Sequence, residues 1–437
     1  MNLHSVFRDD IVPGITLTCI KTDKFKTGCL TINLVCKLSR ETAASLALLP
    51  RVLRRGSKSL PDMQTISAAL DELYGTRIEP LVRKKGELHC VGLFTDFPDD
   101  RFLPSGQSVL EKAASLACEM LLDPNMNDGI FIDDYVESEK ANLIDDIRAA
   151  INDKRGYSID RLLEEMCAGE SYSVSKLGDE EQASLITSQS LTELYHKVLA
   201  QSKVEIFYCG SAEATFVYKS IKAALGSLNS RKNAFIPKTE IVLYPRNNAL
   251  RECFETLDVS QGKLTIGFRL GKAMEKPNYP ALIVFNALYG GSVTSKLFLN
   301  VREKLSLCYY ASSMLDKNKG VMLVASGVEF SKFRIALDEI MAQLEHVKDG
   351  EISEWELTSA KRYVITSLKS AMDRLGGLEE LYLDSVLSLI PYDPLEICNR
   401  IEEVTSAQVV DTASEIIPDM VYFLSGEEEG GGGENDS

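Results

Sequence analysis

Histidine is scarce in this chain. Among 437 residues there are four, His4, His89, His196 and His346, and the nearest two stand 85 positions apart. No two can share a helix turn, which excludes a local zinc motif with paired histidines. There is no CxxC, no Gly-x-Ser-x-Gly, and no Gly-rich loop followed by GK[ST]; with them go local thiol-redox, serine-hydrolase and phosphate-loop chemistries. Cys90 sits beside His89, but neighbours on a strand face apart and do not make a nucleophile–base pair. No run of about 18 apolar residues is present to span a bilayer. Cationic side chains are in deficit, 48 Lys and Arg against 64 Asp and Glu for a net charge of −16. Such a chain repels phosphate backbones and anionic lipid surfaces, so neither nucleic acid nor membrane is expected as a partner. Asp9 and Asp10 fall where a secretion signal needs its apolar run, which predicts a cytoplasmic protein. The ten scattered cysteines then read as small buried hydrophobes in a reducing compartment.

What the chain does have is ample apolar material, 45% of residues, and an internal repeat. GCLTI at 28–32 returns as GKLTI at 262–266, an offset of 234. Gly86 and Gly320 open strand-like runs at the same offset, and Gly56-Ser57 matches Gly290-Gly291. Farther on, SKVEIFYCGS reaches Gly210 and DMVYFLSG reaches Gly426, with the offset now 216, so the first copy carries about 18 extra residues. Within each copy strands alternate with helices. Leu30, Ile32, Leu34, Cys36 and Leu38 alternate with mostly polar residues, as a half-buried strand does. Ile66, Leu70, Leu73 and Tyr74 mark one helix face, and Gly75 is placed to stop it. Long helical patterns over 135–166 and from Ser353 onward break near Asp153-Lys154-Arg155-Gly156 and Asp373-Arg374-Leu375-Gly376; Ser353 and Glu356 have capping-box spacing. Gly290-Gly291-Ser292 reads as a tight strand-to-helix turn. The pattern predicts an α+β protein of two homologous halves, each a mainly antiparallel sheet with helices on one face. The halves are 1–228 and 251–426, joined by a Pro-marked linker 229–250 and followed by a disordered acidic tail 427–437. A cleft between such halves is the natural ligand site.

The stretch 286–313, NALYGGSVTSKLFLNVREKLSLCYYASS, resembles the second half of pitrilysin/insulinase-family zinc peptidases. The motif comprises Gly290-Gly291, Ser295-Lys296-Leu297-Phe298, Arg302-Glu303-Lys304 and Tyr309. Glu139-Lys140 on a long helix, LGDEEQASLITSQSLTELY and the strand ending at Gly210 fit the family's first half. The resemblance implies the family's peptidase-like metallohydrolase fold. It also implies where the metal would be. Catalytic members carry His-x-x-Glu-His about nine residues before a Gly-Thr or Gly-Ser; counted back from Gly56-Ser57, those slots hold Ala47, Pro50 and Arg51, none of which ligates zinc or acts as a base. Pro50 also disfavours an undisturbed helix there. The third ligand position falls at Asp146, a carboxylate without partners for a metal.

By the same resemblance Arg302 and Tyr309 are the pair that holds substrate backbone and the developing oxyanion. Arg is a permanent forked donor, and a Tyr hydroxyl donates to growing negative charge. Tyr310 points the other way if this is a strand, which favours Tyr309. Against this stands an ordinary ion pair of Arg302 with a neighbouring Glu. The segments at 24–76 and 153–170 resemble the zinc-less subfamily associated with modification of elongation factor P. The resemblance implies a non-catalytic, peptide-binding subunit that holds no metal itself and pairs with a zinc-bearing homologue. The alternatives are a non-proteolytic scaffold for a folded client and a metalloenzyme with unrecognised ligands. Arg51, Arg54 and Arg55 with Lys58 form a basic cluster suited to an acidic segment or a cleft wall, or else a solvated helix face. Asp153-Lys154-Arg155 with Tyr157 is explained only as a helix break.

Overall fold

A computed structural model describes residues 5–104, 108–226, 228, 234–247, 249–388 and 390–426. His4, the tail 427–437 and linker positions 229–233 and 248 lie outside them. The chain forms two compact units that are not contiguous in sequence. The first contains Met1–Arg148, Val174–Thr239 and Ala371–Leu387, the second Ala149–Ser173, Glu240–Ser370 and Ser388–Ser437.

The first unit is built on β1 (Ser5–Val12), β2 (Ile15–Lys21), β3 (Thr27–Lys37), β4 (Arg77–Lys85) and β5 (Leu88–Pro98). The two-residue ladder β6 (Met126–Asn127) with β7 (Ile130–Phe131) stands apart, and β8 (Lys203–Gly210) completes the set. The large sheet runs β1-β2-β8-β3-β5-β4, antiparallel except for β2 beside β8. Alternation along β3 sends Leu30, Ile32 and Leu34 into a core shared with the helices Arg40–Leu53, Val109–Leu122 and Ser188–Gln201. Each such buried aliphatic side chain contributes about 1.5–3 kcal/mol.

The second unit holds β9 (Arg251–Thr256), β10 (Gly262–Arg269), β11 (Cys308–Asp316), β12 (Val321–Val328) and β13 (Ile417–Ser425), in the order β11-β12-β10-β13-β9. Only β13 beside β9 is parallel. This is the first sheet again without β1. The repeated Gly-x-Leu-Thr-Ile segments are the central strands β3 and β10, and the strands ending at Gly210 and Ser425 take equivalent places beside them. The fold is the expected duplicated α+β architecture with mainly antiparallel sheets.

The expectation of helices on one face needs correction. Each sheet carries a further helix across its other face, and that helix comes from the other half of the sequence. On the first sheet it is Leu375–Leu387. The fully buried carboxylate of Glu379 accepts from Thr31 Oγ1 (2.8 Å) and from Arg83 (3.0 Å), Lys85 pairs with Asp384 (2.8 Å), and Leu387 packs on Val35, Leu88 and Cys90. On the second sheet it is Lys154–Met166, whose Leu162, Leu163 and Met166 bury against Val321, Leu323, Met420, Tyr422 and Leu424. Gly267 makes room for Met166: a Cβ there would stand 2.2 Å from its sulfur. Both helices begin at the breaks legible in the sequence. Asp133–Ala149 gives way to a 3₁₀ turn, Ala150–Asn152, before Asp153 caps the next helix through the Gly156 N–H (3.1 Å). Glu354–Met372 starts with the expected Ser353/Glu356 capping box and stops just before Leu375–Leu387.

The cysteines are free thiols, most of them buried. Burial pushes Cys19, Cys36, Cys90, Cys118 and Cys209 up to about 12, so they stay protonated and unreactive at neutral pH.

Candidate functional site

In the first unit the degenerate metal positions lie on the helix Arg40–Leu53. Ala47 and Pro50 are buried in its core-facing stripe. The helix passes through Pro50 and ends three residues later. A proline this close to the C-terminus costs the one bond its missing N–H would have given residue 46, while its own carbonyl still accepts from the Arg54 N–H (3.2 Å).

Arg51 projects from the same helix and pairs with Asp146 of the helix Asp133–Ala149 at 2.7 Å. Two positions 95 residues apart, marked in the sequence as lost ligands, thus meet as an ion pair. Arg55 pairs with Glu139 at 3.0 Å and lies over the Tyr135 ring at 5.0 Å. Arg54 donates to the Ile78 carbonyl (2.6 Å) and to Glu79 (3.2 Å) on β4. The three arginines and three carboxylates line an open cavity of about 390 Å³. A zinc ion does not fit this set. Of the four positions two are apolar, one is cationic, and the remaining carboxylate is already neutralised by that cation. Among the described residues no group of three or more His, Cys, Asp or Glu side chains could hold a metal ion.

In the second unit the Gly290-Gly291 motif is not the expected strand-to-helix turn. The helix Tyr279–Asn286 continues into a π-helical turn, Ala287–Gly291, that ends on the two glycines. Gly290 passes so close to β11 that a Cβ would stand 2.8 Å from the Ser313 backbone nitrogen. Gly290→Ala is therefore expected to force this segment off β11 at a cost of about 1–3 kcal/mol, read as a lowered urea midpoint; an unchanged midpoint would show the contact to be slack.

Leu297–Lys304 is a second π-helical segment. Its C-terminal turn closes through Ser306 N–H to the Arg302 carbonyl (3.1 Å) and Leu307 N–H to the Val301 carbonyl (3.0 Å), and the chain enters β11. Arg302 is 41% exposed at its side chain, lies over the Phe298 ring at 4.7 Å, and comes no nearer than 3.5 Å to Glu303. Among the described residues no carboxylate sits tightly against its forked face.

β11 is an edge strand, and its ladder slips between Cys308 and Tyr310. Tyr309 is the extra residue of that bulge, 60% exposed. Tyr310 turns the other way and packs across Gly327, with the Arg155 guanidinium over its ring at 4.7 Å. Arg155 also donates to Ser312 Oγ (2.9 Å), while Tyr157 donates to Glu255 (2.6 Å). The Asp-Lys-Arg-x-Tyr run thus fastens β11 and β9. Phe298 under Arg302 was readable as an i, i+4 pair. The contacts of Arg155 had no local signal, because Ser312 lies 157 positions away and Tyr310 almost as far.

A duplicated α+β fold, with Arg51 paired to Asp146 where the resemblance implies metal ligands, has the form of the peptidase-like fold that the sequence implied. The description "Peptidase M16 inactive domain" matches residues 185–364. A protein of Bacillus subtilis (strain 168) described as "Probable inactive metalloprotease YmfF" is 32% identical over 423 residues, 95% of this chain and 96% of that one. A conserved protein from Enterococcus faecalis V583 superposes with a TM-score of 0.86 at 29% identity, covering 97% of this chain and 99% of the other. The M16 peptidase inactive domain from Pseudomonas fluorescens gives a TM-score of 0.74 at 16% identity over 97% and 98%. The chain belongs to the pitrilysin/insulinase (M16) peptidase family, as one of its inactive members.

Proposed function

We propose that this chain is the non-catalytic, peptide-binding subunit of a two-chain cytoplasmic metallopeptidase, with the zinc carried by a homologous partner. The observation that carries the reading is the contrast between the two loci. At the metal positions the ligands are gone and Arg51 neutralises Asp146. At the motif in the second half Arg302 and Tyr309 remain exposed on elements that a close-packed glycine and a bulge hold in place. A fold keeps a packed surface for stability, whereas an exposed arginine and tyrosine on an edge strand add little to stability and much to binding. In this reading Arg302 and Tyr309 donate to the carbonyl oxygen of an extended peptide as charge builds on it, and the partner's zinc supplies the activated water. A relative from the same Bacillus subtilis strain, described as an "Uncharacterized zinc protease YmxG", is 24% identical over 70% of this chain and 74% of its own length, so one organism can hold both kinds of chain. A link to the modification of elongation factor P belongs to the same proposal.

Mixing the purified chain with a zinc-bearing homologue from its own organism is expected to give peptide cleavage that neither protein shows alone. Arg302→Ala or Tyr309→Phe should lower kcat by about 10²–10³-fold, the usual effect of removing one oxyanion donor. Full activity in both variants would end the site assignment. Capture of a folded client without cleavage would favour a scaffold instead.

A further inference from the structure

Away from both loci the first unit contains a second cavity, of about 260 Å³, between the end of β3 and the helices Arg40–Leu53 and Ser188–Gln201. Its apolar lining is made by Leu46, Leu194, Val198 and the ring of Phe235, beside Ser39, Thr42 and Gln201. Phe235 is held at the mouth by backbone bonds, its N–H to the Gln201 carbonyl (2.6 Å) and its carbonyl from the Lys203 N–H (3.2 Å), yet it is 62% exposed. An aromatic ring fixed at an opening and left uncovered is a surface waiting for an apolar contact.

The charge around the opening is one-sided. In a chain of net charge −16, no acidic side chain among the described residues lines this cavity, and two lysines, Lys37 and Lys197, do. Neither makes an ion pair among the described residues. Glu41, the acid within electrostatic reach of Lys37, is engaged by its own backbone N–H and by the Ser39 hydroxyl. The half-buried Cys36 also lines the cavity, with its thiol pushed up to about 12 by burial, so the pocket can hold a ligand but does not attack one.

We propose that this cavity binds a small amphipathic carboxylate, an aliphatic chain seated among Leu46, Leu194, Val198 and Phe235 with its carboxylate between Lys37 and Lys197. Apolar walls with a few convergent polar groups are the usual composition of a small-molecule site. Two lysines without an ion pair among the described residues select the sign of the headgroup.

The test is calorimetric titration of the full chain with octanoate, octylammonium and octanol in parallel. Octanoate is expected to bind at least tenfold more tightly than either of the others. The double variant K37A/K197A should remove that preference, and Phe235→Ala should weaken octanoate severalfold. All three side chains are at the surface, so the variants are expected to keep the wild-type circular dichroism. R302A/Y309F should bind octanoate as the wild type does, which separates this site from the peptide locus. Equal affinity for octanoate and octylammonium, no octanoate binding at all, or an unchanged preference in K37A/K197A would each overturn the proposal.

Discussion

Arg269→Ala is expected to destabilise the second unit by about 3–5 kcal/mol, the largest loss of any single substitution considered. Arg269 is fully buried. Its Nε donates to Asp419 at 2.9 Å and its Nη atoms to Glu170 at 2.6 and 3.2 Å. Lys319, also fully buried, reaches Glu170 at 2.7 Å, and Arg251 reaches Asp419 at 2.8 Å. Burial alone would raise the carboxyl of Glu170, but the hydrogen bonds from Arg269 and Lys319 hold it below its ordinary value. Truncating the arginine leaves two buried carboxylates short of a partner, and an uncompensated buried charge is what makes such a loss large. Urea unfolding followed by circular dichroism measures it; a change below about 1 kcal/mol would show that water already reaches the network. The sign with pH follows from the lowered carboxyl. Its contribution is complete above the unfolded value of 4.5 and is lost as pH falls through the lower folded value.

A second large effect lies in a milder pH range. His89 is fully buried on β5, and neither ring nitrogen makes a well-formed hydrogen bond. Its pKa is lowered from 6.5 to about 4, mainly by burial, with the charges of Lys84 and Lys176 acting in the same direction against a smaller pull from the Lys176 backbone. The neutral ring is therefore the folded form. Its contribution is complete above the unfolded pKa of 6.5 and is lost as pH falls toward the folded value. At about 1.4 kcal/mol per unit of displacement, the chain should lose about 2–3 kcal/mol between pH 6.5 and about pH 4.5. That window lies above the one in which Glu170 acts, so the two are separable. Stability measured across it in the wild type and in His89→Gln should give a sloping line and a nearly flat one; parallel slopes would remove His89 as the source.

Much of the architecture could be read from the residues because it rests on local, periodic signals. Gly-x-Leu-Thr-Ile recurs since both copies need the same central strand, small at its start and alternating thereafter. The helix breaks were visible as polar-Gly clusters, and the capping box as a spacing of three. The lack of paired histidines followed from residue types alone; that Ala47, Pro50, Arg51 and Asp146 stand at metal positions came from the resemblance, and Arg51 pairs with Asp146 at 2.7 Å. Which sheet a helix covers is different information. The apolar stripe of Lys154–Met166 states that one face is buried, and nothing in it tells β10 from β3. The second face of each sheet was missed for that reason, as were the partners of Arg155 and Glu379. The π-helical turns at Ala287–Gly291 and Leu297–Lys304 were also out of reach, because a wider turn has no residue signature separate from an ordinary helix end.

The crossed-over helices bear on how the chain is made. β3 and β8 are complete once residue 210 has left the ribosome, yet the helix that seats Glu379 beneath Thr31 emerges only after nearly 180 further residues. Until then this face of the first sheet, with Thr31 and Arg83 beside Val35, Leu88 and Cys90, stays open to water. Synthesis through Leu387 must therefore precede the closing step of the first sheet, and a ribosome stalled at the linker would release a fragment with one side of that sheet uncovered.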